Sequence, residues 1–143
     1  TTIPAGNAPS WIAITPDGKR AYVVNKRSDT VSVIRTDTNT VVHAVAVGTK
    51  PVGVAITPDG TQVYVANLGS NNVSVIARPG NTVVRTVGVG SRPDAIAVTP
   101  DGKHAYVANR VSNNVSVIRT DTNNVVATIP VGSTPFAVSI VPP

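Results

Sequence analysis

The chain has 143 residues, a formal net charge of +5 and 41% hydrophobic content, carried by Val, Ile and Ala with only one Phe, one Trp and three Tyr. It has no Cys, which excludes disulfides, Cys-ligated zinc and thiol catalysis. No apolar run approaches the roughly 20 residues a helix needs to cross a bilayer, so no membrane span is expected.

Along the chain the sequence repeats every 42 residues without insertion. Residues 1–15 form a partial unit, and 16–57, 58–99 and 100–141 form full ones, within one domain. Each full unit opens on Pro-Asp-Gly (Pro16, Pro58 and Pro100) and continues through Tyr-Val-x-Asn from Tyr22, Tyr64 and Tyr106. Val-Ser-Val-Ile from Val31, Val73 and Val115 follows, then a Val-Val pair and a Val-Gly-x-x-Pro turn ending at Pro51, Pro93 and Pro135. Four strands per repeat are predicted, for example Gly53–Thr57, Val63–Asn67, Val73–Ala77 and Thr82–Val87. Their β-branched residues suit a pleated surface and lose rotamer freedom in helices. The intervening Thr-Pro-Asp-Gly reads as a type I turn, in which Pro presets φ and Gly takes the left-handed position. At the two ends, Thr1–Pro4 is read as a spare fourth strand and Phe136–Val141 as a spare first strand.

An all-β chain with four antiparallel strands per repeat of this length predicts a β-propeller with about three and a half blade repeats. Pro-Asp-Gly-x-x-x-Tyr-Val-x-Asn, then Asn-x-Val-Ser-Val-Ile and Val-Gly-x-x-Pro, resembles the YVTN family of β-propeller repeats over the whole chain. The sequence has Tyr-Val-Val-Asn once and Tyr-Val-Ala-Asn twice in place of the eponymous tetrapeptide. The resemblance implies a propeller, usually of seven blades, and an extracellular, cell-surface or periplasmic setting. It implies no reaction. The chain starts at Thr1 with neither an initiator Met nor a signal segment, so any targeting segment is expected to have been removed.

Propellers close with about four to eight blades. Three blades leave two apolar faces open, so head-to-tail association with itself is expected, as a homodimer or a higher ring. Trp11 stands where the repeat elsewhere has Gly53, Ala95 and Ala137, and Phe136 stands where it has Ser10, Val52 and Asp94. Both are read as either caps of the array ends or ligand contacts at the channel mouth.

A catalytic constellation should break the repeat. His43 and His104 occupy variable positions without an evident orienting carboxylate, which reads as surface. Asp37-x-Asn39 and Asp121-x-Asn123 place oxygen ligands at alternate positions. Calcium asks for six to eight oxygens, often with a bidentate Glu, and the chain has no Glu. A hairpin turn is the better reading, and neither metal nor cofactor is expected. Asn72-Val73-Ser74 and Asn114-Val115-Ser116 fit the glycosylation sequon but arise from the repeat. Asp94 is the one acid outside the repeat pattern, and it sits beside Arg92.

The charge divides unevenly between the two propeller rims. The linkers between blades and the loops joining second to third strands carry Lys26, Arg27, Lys50, Arg92 and Arg110 against Asp29 and Asp94. The opposite rim has six cations against five carboxylates. The first rim is therefore the predicted binding face, for an acidic protein or surface polymer. Nucleic acid is not expected, since aromatic stacking platforms and dense Lys/Arg clusters are missing. These features lead to the expectation of a non-catalytic scaffold with no catalytic residues. A small-ligand or carbohydrate binder using Trp11, Asp94 and Phe136 is the alternative, and a propeller lactonase or lyase ranks below both.

Overall fold

A computed structural model describes residues 1–141. It contains twelve strands and no helix among those residues, arranged as three four-stranded antiparallel sheets. The first blade comprises β1 (Pro9–Ile14), β2 (Arg20–Asn25), β3 (Thr30–Arg35) and β4 (Thr40–Ala46). The second comprises β5 (Pro51–Ile56), β6 (Gln62–Asn67), β7 (Asn72–Ala77) and β8 (Thr82–Gly88). The third comprises β9 (Pro93–Val98), β10 (His104–Asn109), β11 (Asn114–Arg119) and β12 (Asn124–Pro130). Within each blade the strands run in sequence order, and the innermost strands β1, β5 and β9 pack side by side. The outer strands diverge. This is the fan of a partial propeller.

The blades stick together because both faces of each sheet are apolar. At the first seam Tyr22, Val24, Val31, Val33 and Val45 meet Val54, Val63, Val65 and Ile76. At the second, Tyr64, Ala66, Val73, Val75 and Val87 meet Ile96, Ala105, Val107 and Ile118. A strand covered on both sides loses the apolar–polar alternation of a half-buried one, which is why Val63–Ala66 is wholly buried. Hydrogen bonds lock the same seams at their periphery. The Tyr22 hydroxyl donates to Asn81 Oδ1 (2.5 Å), and the Tyr64 hydroxyl donates to Asn123 Oδ1 (2.5 Å). A second repeated network lies at the other rim: Asn25, Asn67 and Asn109, all fully buried, donate Nδ2 to Ser32, Ser74 and Ser116 at 2.8–2.9 Å. The serines of Val-Ser-Val-Ile thus anchor buried amides.

The Thr-Pro-Asp-Gly turns form as expected. Gly18, Gly60 and Gly102 have φ of 68°, 72° and 71°, and each N–H donates to the Thr carbonyl three residues back at 2.8 Å. The Thr hydroxyl of each turn donates to its Asp at 2.5 Å, and the backbone N–H two residues after the Asp donates at 3.0 Å. These bonds, the hydroxyl's first, hold the carboxyls of Asp17, Asp59 and Asp101 below the usual carboxylate range. A folded pKa below the unfolded one gives stability that is present above about pH 3.9 and lost as pH falls through the lower folded value. Thermal unfolding followed from neutral to acid pH is expected to show a melting temperature that declines below about pH 4, with a smaller decline in Asp59→Asn. A melting temperature flat with acidification contradicts this account of the turns.

Both spare end strands differ from expectation. Thr1–Pro4 and Phe136–Val141 carry no strand, because a strand needs a sheet neighbour to satisfy its backbone, and neither segment has one among the described residues. Ile3 and Ala5 instead pack on Ala21, Val23 and Ile34, on the outer face of the first blade.

Candidate functional site at the channel mouth

The linkers between blades shape one rim. Each arrives at a proline through a left-handed residue: Ala8 (φ 52°), Lys50 (51°), Arg92 (55°) and Thr134 (53°). Two loops clamp each of the Lys50 and Arg92 linkers. Lys50 N donates to Asp29 Oδ1 of the blade it leaves (2.8 Å), while Thr49 N donates to Ser70 Oγ of the blade it enters (3.1 Å). Arg92 N donates likewise to Asn71 Oδ1 (2.9 Å), and Ser91 N to Ser112 Oγ. Side-chain oxygens at fixed repeat positions therefore set where Lys50 and Arg92 project.

The result is an open depression of about 920 Å³ lined by Lys26, Arg27, Asp29, Lys50, Arg92 and Arg110. All five cations assigned to this rim by sequence come together there. Of its acids, Asp29 has one oxygen engaged by the Lys50 backbone. Asp94 lies 3.7 Å from Arg110, so its ion-pair partner is Arg110 and not Arg92, two residues before it. Arg92 precedes β9 in a left-handed turn (φ 55°), so the strand's two-residue alternation does not carry its side chain to the side of Asp94.

Lys26 also borders a second cavity of about 300 Å³, which opens along the axis between the inner strands. Its lining includes Trp11, Gly53, Asp94, Ile96 and Phe136. Trp11 is 62% exposed and Phe136 72%, so neither serves as a buried cap; both stand on the channel side with an aromatic surface available. Gly53 permits the close approach of the inner strands, since a Cβ there would stand 3.2 Å from the Asp94 carbonyl oxygen.

The remaining candidates lie elsewhere. His43 stands on β4 with Arg20, Arg78 and Asn81 at the opposite rim, and His104 opens β10, its N–H donating to Thr99 Oγ1 (3.1 Å). Asp37 and Asp121 are engaged by Arg35 and Arg119 at 2.5 and 2.7 Å. The adjoining turn asparagines, Asn81 and Asn123, receive the tyrosine hydroxyls of the preceding blades. That role was missed in the sequence. Its signal was the Asn kept at positions 39, 81 and 123 even where the middle turn exchanges Asp for Pro79.

Comparison with known proteins adds what the geometry leaves open. The profile of the family described as "Lactonase, 7-bladed beta-propeller" matches residues 1–88. The chain belongs to this lactonase family. Among solved structures, hydrazine synthase of Kuenenia stuttgartiensis is similar over 95% of this chain and 40% of its own, at 31% identity and a TM-score of 0.89. A protein of Bacteroides fragilis, provisionally assigned as a 6-phosphogluconolactonase, is similar over 99% of this chain and 44% of its own, at 23% identity and a TM-score of 0.85. The U3-55K structure shares the fold at 14% identity and a TM-score of 0.82, over 92% of this chain and 42% of its own. This lactonase-family chain thus spans less than half the length of these structures. No curated protein matches it.

The family match overturns the expectation of a non-catalytic scaffold and the ranking of a lactonase below it. The physical reason lies in how a propeller builds a site. Every blade contributes side chains to one shared mouth, so three blades present only a sector of a constellation. Searching one chain for a complete triad or acid cluster undercounts such a site.

Proposed function

We propose that these blades form part of a propeller that hydrolyses lactones, with the basic rim binding an anionic substituent of the substrate. The observation that carries this reading is the group of five cations around an open depression in a lactonase-family chain. Lactone hydrolysis needs a base to activate water, and fixed positive charge or N–H donors where the carbonyl oxygen becomes an oxyanion. Asp94, the carboxylate lining the axial cavity, is positioned for the first role, and the neighbouring cations for the second. The ring-opened product carries a new carboxylate, which the same cations hold. Trp11 offers a flat apolar surface for the ring face of a sugar lactone. The repeat is read as YVTN type on its Tyr-Val-x-Asn and Val-Ser-Val-Ile motifs, with an extracellular or envelope location, as parts of the same proposal.

The test compares gluconolactone with its 6-phosphate, using the protein that carries these blades. Each charge-assisted hydrogen bond contributes about 1.5–3 kcal/mol. The Lys50→Glu/Arg92→Glu double variant removes two such bonds and is therefore expected to raise KM for the phosphorylated lactone by about 100–10,000-fold, at about 1.4 kcal/mol per tenfold. The unphosphorylated lactone should change far less. Equal loss on both substrates, or hydrolysis of neither by the parent protein, rejects this reading.

A further inference from the structure

On the rim opposite the mouth, the first seam breaks the repeat in charge. A cavity of about 340 Å³ opens there between the first and second blades, within the roughly 300–1,000 Å³ range of small-ligand sites. The first blade contributes Arg20, Arg35 and His43, and the second contributes Arg78 and Asn81. Tyr22, whose hydroxyl donates to Asn81, joins the two sides. At the equivalent positions of the second seam stand Gln62, Ala77, Arg85, Thr120 and Asn123. Three guanidiniums are thus gathered where the neighbouring seam, built the same way, has one. Among the described residues no carboxylate lines the cavity. We propose that this cavity binds the phosphoryl group of a small anionic ligand, which bridges the first two blades.

Arg20 and Arg35 are direct cross-strand partners on β2 and β3. Like charges in that register repel and destabilise a sheet, and an anion between them turns the repulsion into attraction. The same register holds Gln62 against Ala77 in the second blade and His104 against Arg119 in the third. Arg78 replaces the threonine of the other two blades. Thr36 and Thr120 donate their hydroxyls to the Gly18 and Gly102 carbonyls, and Arg78 makes the matching bond to the Gly60 carbonyl through Nη1 (2.7 Å). That anchor takes one of the five donors on a guanidinium and leaves the others to the seam. The Arg78 side chain is only 17% exposed, and Asp17 stands 4.0 Å away with its other oxygen held by Thr15 and Lys19. A cation so enclosed is costly without a close counter-charge, which a bound anion supplies. Arg35 spends Nε and Nη2 on Asp37, and Arg20 spends Nη1 on the Lys19 carbonyl, so both keep donors free.

The local field has the sign this requires. Burial raises the phenol pKa of both Tyr22 and Tyr64, but the charges around them act in opposite directions. Arg78 and Arg20, outweighing Asp17, draw Tyr22 down, whereas Asp59 and Asp121 push Tyr64 further up. Guanidinium forks reach the cavity from β2, β3 and the turn after β7. That convergence suits the several oxygens of a phosphoryl dianion better than the two of a carboxylate. Both blades that form the cavity are complete, and it uses none of the rim cations, so it is independent of the chemistry performed at the mouth.

The experiment titrates the protein that carries these blades with inorganic phosphate, pyrophosphate and glucose 6-phosphate by calorimetry, at constant ionic strength set with sodium chloride. All titrations use the Lys50→Glu/Arg92→Glu background, which silences the mouth. The test substitutions are borrowed from the other blades: Arg20→Gln, Arg35→Ala and Arg78→Thr reproduce Gln62, Ala77 and Thr120, residues this fold already accommodates. The background protein is expected to bind a single phosphoryl ligand. Arg20→Gln and Arg78→Thr should each raise its Kd by about 10–100-fold. All three substitutions together should abolish binding without lowering the melting temperature of the ligand-free protein. Tighter binding of glucose 6-phosphate than of phosphate and pyrophosphate assigns the site to a phosphate ester, and the reverse order assigns it to the free anion. Absence of binding at millimolar ligand in the background protein, or binding that survives all three substitutions, overturns the proposal.

Discussion

Tyr64→Ala is expected to destabilise the chain by about 3–5 kcal/mol, measured by urea denaturation, the range for deleting a buried aromatic ring. Tyr64 is fully buried between the second and third blades, so its removal opens a cavity in a seam where neither sheet can collapse independently. Tyr64→Phe isolates the hydroxyl, which donates its one proton to Asn123 Oδ1 (2.5 Å) with Gln62 Oε1 also beside it, and is expected to cost about 0.5–1.5 kcal/mol. Burial also pushes the Tyr64 phenol well above its ordinary value. A raised folded pKa gives stability that is complete below about pH 10 and lost as pH rises through the higher folded value, so Tyr64→Phe should blunt alkaline unfolding. Tyr106→Ala supplies the contrast. Its ring is only half-buried, and its loss should cost clearly less. Equal costs for Tyr64→Ala and Tyr106→Ala would show that the seam is not where the tyrosine acts.

Gly90→Ala is the second large effect. Gly90 has no positive φ; its constraint is space. A Cβ there would stand 2.7 Å from Asn109 Cγ and 2.8 Å from Asn109 Cβ. Asn109 cannot swing aside without breaking its bonds to Asn114 Oδ1 and Ser116 Oγ, each 2.8 Å. Overpacking together with the lost bonds is expected to cost about 2–4 kcal/mol. Gly88→Ala, two residues earlier in open space, should stay within about 0.5 kcal/mol of the parent. If both substitutions are neutral, the packing of Gly90 against Asn109 has no energetic weight.

The strands, their order and the turn glycines were legible because they follow from local chemistry repeated three times. Val-Ser-Val-Ile states its strand, and Thr-Pro-Asp-Gly states its turn. The rim was legible too: placing Lys26, Lys50 and Arg92 on one side needed only the strand count and the alternation of loops. What the sequence concealed was long-range. Tyr22 and Asn81 lie 59 residues apart, and their bond becomes visible only when adjacent blades are stacked. The pairing of Asp94 with Arg110 in place of Arg92 depends on how the turn before β9 and the loop after β10 aim their side chains. Lactonase membership was hidden for a different reason. Fold motifs are core and turn residues common to propellers of many functions, so they give the architecture without the activity.

The seam construction has an evolutionary consequence. Every blade presents a tyrosine face on one side and an asparagine-turn face on the other, each matching the opposite face of its neighbour. Duplicating or deleting a whole blade therefore creates a junction of the same chemistry as those already present, so blade number can change in a single genetic event without inventing a new interface. A change of part of a blade does not share that freedom, because it shifts the register of Tyr against Asn.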